Sequence, residues 1–178
     1  VIDKVAIIPI IIISGISFFA TIFAYKIMPE EIEKKSISKV YSLWLLAIAG
    51  LLGLVTTGDA FNLFVFLEIS SLASVALVAM GAQKDKQALV AAYNYLIIGA
   101  VGATLYVIGV GLLYGITGTL NMEDLTNRIS DLNNNKALIA GFGFMIIGIM
   151  VKAAVFPLHI WLPRACLLYT SPSPRDDL

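Results

Sequence analysis

"VKAAVFPLHIWLP", residues 151–163, sets a single lysine in an otherwise uncharged apolar stretch, ahead of Pro157 and His159. On a soluble helix that lysine would turn to water. In a helix that crosses lipid it has to find a partner inside the protein, and everything around it then becomes part of a polar site. Composition decides between the two cases. The chain of 178 residues is 59% hydrophobic and 13% charged, against roughly 25% charged in an ordinary soluble domain. It reads as a membrane protein.

A hydrocarbon layer about 30 Å thick takes some 20 apolar residues in a helix, because only helices and closed barrels satisfy every backbone group in lipid. Five runs meet that length: Val5–Tyr25, Val40–Gly58, Ala60–Gln83, Leu89–Ile116 and Ala137–Pro163. None alternates polar and apolar residues as a barrel strand must. The expected fold class is therefore an all-α, polytopic transmembrane helix bundle with about five transmembrane helices, the last broken near Pro157.

Formal net charge is zero, which excludes an electrostatic case for nucleic acid and leaves charge to act through position. The Lys26–Lys39 and Lys84–Lys86 loops carry lysines 26, 34, 35, 39, 84 and 86. The opposite side carries Lys4, Arg128 and Lys136. By the positive-inside rule the lysine-rich side is expected to be cytoplasmic, in the cell inner (plasma) membrane. The one long loop, "TLNMEDLTNRISDLNNNK", places Met122, Leu125, Ile129 and Leu132 at helical spacing behind Asn121, with Glu123 and Asp124 in the first turn. Asn is a good N-cap and early acids suit the positive end of a helix, so a short surface helix is expected there. In the fourth span the small residues Gly99, Gly102, Ala103, Gly109, Gly111 and Gly115, with Gly111 and Gly115 at GxxxG spacing, are expected to let helix pack on helix.

The ends differ from the middle. Val1 opens the chain with no basic-flanked, cleavable leader, as in a piece of a longer protein. From residue 166 the segment "CLLYTSPSPRDDL" is polar and proline-broken and resembles the read-through of a sequencing adaptor. Residues 166–178 are expected to be foreign, leaving 1–165 as a partial transmembrane domain. Cys166, the one cysteine, falls in that tail, so no disulfide or thiolate site is expected.

Two ionisable residues sit deep in the spans. At 1.5 Å per residue, Glu68 lies about 5 Å to the outer side of its helix midpoint and Lys152 about 3 Å to the inner side. Each costs roughly 2.5–3.5 kcal/mol to insert without a partner, which points to the two pairing across helices. A static ion pair is one reading and a proton-transfer pair is the other. Ser71, at i+3 from Glu68, shares its face and is expected to help hold water. Pro157 removes the donor that would bond the Ala153 carbonyl, so the helix is expected to break just beyond the lysine. Broken helices build membrane ion sites from such freed ends. His159 follows the break: an anchor beside the interfacial Trp161, or a proton relay, since its ordinary pKa is near 6.5. Asn94 is either a packing amide or a member of a water chain, and Asp59 a solvated acid at the mouth of its helix. Burial and a nearby carboxylate pull an amine's proton affinity in opposite directions, which makes a paired lysine a natural switch.

No P-loop, dinucleotide fingerprint, histidine pair for haem or zinc, or Ser/His/Asp set is present, so no cofactor and no redox centre is expected in this chain.

"GDAFNLFVFLEISSLASVALV", "YNYLIIGAVGATLYVIGVGLLYGITGTLNM" and "VKAAVFPLHIWLP", in that order, resemble the antiporter-like subunits shared by respiratory complex I and the multisubunit Mrp-type cation/proton antiporters, with the nearest likeness to the Mrp D subunit. The resemblance covers residues 40–165. It implies a larger subunit with two inverted repeats, of which this chain holds the third to seventh helices. It also implies that Glu68 and Lys152 belong to a proton pathway, with His159 in the segment after the break. Asn94 stands where many relatives have a lysine. The expected function is proton translocation in a Na+(cation)/H+ antiporter. The rivals are a pumping subunit of an NADH:quinone oxidoreductase or membrane-bound hydrogenase, and a non-conducting scaffold. Expected partners are other membrane subunits, protons, and Na+ or another monovalent cation.

Overall fold

A computed structural model describes residues 4–32, 34–81, 87–130, 132, 135–159 and 161–166. The expected tail beyond 166 and the Lys84–Lys86 loop lie outside them. The described residues form helices and no strand. They are α1 (Lys4–Glu31), α2 (Lys34–Thr56), α3 (Ala60–Met80), α4 (Gln87–Thr117), α5 (Met122–Ile129), α6 (Lys136–Lys152) and α7 (Trp161–Cys166).

Four of these, Lys4–Met28, Lys34–Thr56, Ala60–Met80 and Ala88–Thr117, are long and apolar enough to cross a membrane. The chain is a multi-pass membrane protein. Ile8, Phe19 and Phe23 on α1 point outward, a surface that suits lipid and not water. The helices pack in chain order: α1 on α2, α2 on α3, α3 on α4, and α4 most extensively on α6. Trp44 of α2 donates its indole N–H to Thr21 Oγ of α1 at 3.0 Å, the polar tie between those two apolar helices.

The fifth expected span is not one helix. It stops at Lys152, short of Pro157, and resumes in α7. The reason is steric. Proline disfavours helical geometry at the residue before it and drives its ring against the carbonyl four residues back, here Ala153. The chain leaves the helix before that carbonyl can face the ring: Ala154 takes a positive φ of 50° and the Val155 N–H turns back to the Met150 carbonyl at 3.0 Å.

Close approach of α4 to α6 uses Gly102 and Gly109 of the expected small residues and not the GxxxG pair. A Cβ on Gly111 or Gly115 would meet nothing within 4 Å, and both face outward. The contact falls instead on Gly102 and Gly148: a Cβ on Gly148 would stand 2.6 Å from the Gly102 carbonyl oxygen. Helix faces explain the difference. The buried stripe of α4 runs through Gly99, Gly102, Tyr106, Gly109 and Leu113, and the GxxxG spacing of 111 and 115 lies off it.

The N-terminal ends of α3 and α5 are tied together. Asp59 is no free loop acid: its carboxylate accepts the Phe61 and Asn62 N–H groups at 2.9 and 2.8 Å and caps α3. Asn121 caps α5 in the same way, as its position ahead of "MEDL" predicts. The two caps form an antiparallel bridge, Ala60 N–H to Leu120 C=O at 2.9 Å and Met122 N–H to Gly58 C=O at 2.9 Å. Beneath them the buried Tyr106 hydroxyl donates to the Ala60 carbonyl at 3.2 Å. These ties set α3 against α4 and so fix the height of Glu68.

Candidate functional site

The three serines after Glu68 do different things, and helix geometry assigns them. Ser70 faces α2, where a Cβ on Gly50 would lie 2.8 Å from its backbone nitrogen, and its hydroxyl donates to the Leu67 carbonyl at 3.1 Å. Ser74 donates to the Ser70 carbonyl at 2.8 Å. Ser71, one turn from Glu68, shares that residue's face and turns away from α2.

Lys152 reaches that face from the last residue of α6. Its Nζ donates to Ser71 Oγ at 2.7 Å and lies 3.3 Å from Glu68 Oε1. The lysine side chain is 9% exposed and the glutamate 26%, so the ammonium is the better shielded of the two. The sequence anticipates the pairing. It anticipates Ser71 only as a water holder, whereas the hydroxyl is a direct acceptor.

α3 and α6 both flank α4, and the lysine has to bridge them past it. Gly99 is the α4 residue beside the amine: a Cβ there would stand 3.6 Å from Nζ, an ordinary contact. An ammonium has three donors, of which Glu68 and Ser71 take two among the described residues. Removing one partner from a shielded ion pair costs about 3–5 kcal/mol, so Glu68 and Lys152 hold each other in place as long as both are charged.

Asn94 does not join this group. It lies five residues from Gly99, which places it well round the helix, and no hydrogen bond joins it to Glu68 or Lys152 among the described residues. His159 stands in the turn after Pro157, its ring centroid 5.5 Å from that of Phe156. Its Nδ1 is buried and has no hydrogen-bond partner among the described residues.

Trp161 is where sequence reasoning falls short. It reads as an interfacial anchor, yet it is 8% exposed and its indole N–H donates to the Val151 carbonyl at 3.1 Å. The ring stacks on Tyr95 of α4 at a centroid distance of 4.4 Å and an angle of 5°. No spacing rule links residues 95, 151 and 161. The one available signal is that a tryptophan so close to a helix break brings a donor to unpaired carbonyls.

Residues 57–174 match the family described as NADH:quinone oxidoreductase/Mrp antiporter, TM. The chain is 52% identical over 125 residues to the N subunit of the NADH-quinone oxidoreductase of Desulforudis audaxviator, a match covering 70% of this chain and 24% of the relative. It is 33% identical over 163 residues to the D subunit of the Na(+)/H(+) antiporter of Alkalihalophilus pseudofirmus, covering 92% of this chain and 32% of the relative. Among solved structures, a chain of the membrane-bound sulfane sulfur reductase, an archaeal respiratory membrane complex, superposes with a TM-score of 0.82 at 38% identity. That match covers 90% of this chain and 31% of that one. The chain thus spans between a quarter and a third of the length of these relatives.

Proposed function

The chain belongs to the NADH:quinone oxidoreductase/Mrp antiporter transmembrane family, and from that premise we propose that it translocates protons across the membrane within a multisubunit complex. Lys152 carries the proton, and Glu68 and Ser71 hold it in its charged state. His159, beyond the break, relays the proton onward, and Asn94 lines the water path at a distance from the amine. The observation that carries this reading is Lys152 at the end of a broken membrane helix, bonded at 2.7 Å to Ser71 and at 3.3 Å to Glu68. A purely structural ion pair has no need of a helix end beside it. A proton carrier does, because an open end admits water and lets the charge move.

Two assemblies fit. In a cation/proton antiporter the proton is exchanged for Na+ or another monovalent cation, the reading favoured by an antiporter relative matching 92% of this chain. In a redox-driven complex the same lysine pumps protons while other subunits carry the electrons, favoured by the 52% identity to an oxidoreductase N subunit. In either, the lysine-rich ends of α1 and α2 face the cytoplasm of the inner membrane.

The test uses inverted vesicles from cells expressing the complete complex, with a pH-sensitive dye. Lys152→Ala should abolish coupled proton movement while the complex still assembles; undiminished transport by that variant overturns the proposal. Collapse of a preformed gradient on adding sodium identifies the antiporter. Gradient formation by NADH with no response to sodium identifies the redox-driven pump.

A further inference from the structure

We propose that Trp161 is a positioning residue for Lys152: it clamps the broken end of α6 onto α4, so that the lysine backbone stays put while its amine changes partners. The inference rests on the reading of Lys152 as the proton carrier, and its own evidence is the geometry around the break.

In an unbroken helix the Val151 carbonyl would accept the Val155 N–H. Here Val155 turns to Met150 at 3.0 Å, and the Val151 carbonyl accepts the Ala154 N–H at 3.3 Å instead. A carbonyl oxygen has two lone pairs, and this one takes a side-chain donor as well. The Trp161 indole supplies it at 3.1 Å, from ten residues further along the chain. An indole N–H is a donor that does not titrate, so it holds this carbonyl whatever the charge on the neighbouring lysine.

The clamp is anchored in turn. Trp161 lies flat on Tyr95, and Tyr95 is four residues from Gly99, on the same side of α4. Gly99 is the α4 residue beside the lysine amine. One helix therefore supplies both the plate that carries the tryptophan and the residue that stands beside the ammonium. Val151 is 5% and Trp161 8% exposed, so the bond between the indole and the residue before Lys152 is buried, while Tyr95 is half-buried. Glu68 is the charged group the amine meets on α3, while α4 offers it none at Gly99. The amine is thus held by groups that respond to its charge, and the backbone by groups that do not.

The test replaces the indole N–H without its shape, in the full-length subunit of the assembled complex. Trp161→Phe keeps a ring for Tyr95, and substitution of Trp161 by the isosteric amino acid 3-benzothienylalanine keeps the full bicycle; both delete the donor. Each should slow proton transport about fivefold, the scale of one lost hydrogen bond, and displace its pH profile. A merely structural tryptophan would leave the profile where it is. If Trp161→Phe does not assemble, the isosteric replacement decides. Wild-type rate and profile in the isosteric variant, alongside an inactive Lys152→Ala, overturn the clamp and leave the lysine reading intact. Normal transport by Lys152→Ala overturns both.

Discussion

The amine of Lys152 lies closer to the hydroxyl of Ser71, at 2.7 Å, than to the carboxylate of Glu68, at 3.3 Å. Ser71→Ala should therefore be felt. A hydrogen bond from a charged group is worth about 1.5–3 kcal/mol, so proton transport should fall by about tenfold or more. Glu68→Gln should cost more, because it leaves the shielded ammonium without a counter-charge. Dye-quench rates in vesicles rank the two; equal rates for Ser71→Ala and wild type would remove Ser71 from the pathway.

Gly99→Ala probes the space beside the amine. The added methyl would make an ordinary contact, 3.6 Å from Nζ, so folding should be unaffected. Transport should nevertheless slow, since the methyl stands directly beside the amine that has to change partners. Paired measurements of thermal stability in detergent and of vesicle transport should show the second moving without the first.

Helix packing gives a contrast that needs no transport assay. Gly148→Ala drives a Cβ to 2.6 Å from the Gly102 carbonyl, and overpacking of that kind typically costs about 1–3 kcal/mol. Gly111→Ala and Gly115→Ala meet open space and should stay within about 0.5 kcal/mol of wild type for this bundle. The midpoint of thermal unfolding of the purified protein tells them apart.

Arg128 fastens α5 to α4. It donates to the Thr117 carbonyl at 2.8 Å and pairs with Asp124 at 2.9 Å. The hydrogen bond from Arg128, helped by one from Thr119, holds the Asp124 carboxyl below the usual carboxylate range. A carboxyl whose folded pKa is depressed stabilises the fold above its ordinary pKa and loses that contribution as pH falls through the lower, folded value. Arg128→Gln should move Asp124 up toward the ordinary carboxylate range, with the Thr119 hydrogen bond still holding it slightly down, and raise hydrogen exchange across Met122–Ile129 at pH 7. The excess over wild type should shrink in strong acid, where the carboxyl is neutral in both. Unchanged exchange at pH 7 would mean that the bridge between Asp59 and Asn121 suffices to hold α5.

Asn121 and Pro157 show how far local rules carry. A cap needs only its own residue and the next three, so the start of α5 is legible from "NMED". A proline acts on its own turn, so a break close to Lys152 is legible too. The position of that break, a turn before Pro157, depends on where the chain finds substitute hydrogen bonds, which is not local. Glycine spacing misleads for the same reason: Gly111 and Gly115 have the motif, but the face that meets α6 is chosen by the neighbours of α4.

By itself the sequence determined that this chain crosses a membrane several times, that its two deep charges must meet, and that a helix breaks beside one of them. Each follows from a free-energy cost that lipid imposes on single residues wherever they lie. The tertiary structure alone decided that Ser71 bonds the Lys152 amine directly, that Gly99 is the α4 residue beside that amine, and that Trp161 returns to the Val151 carbonyl. Those contacts join residues tens of positions apart, and their distances exist only once α3, α4 and α6 have packed.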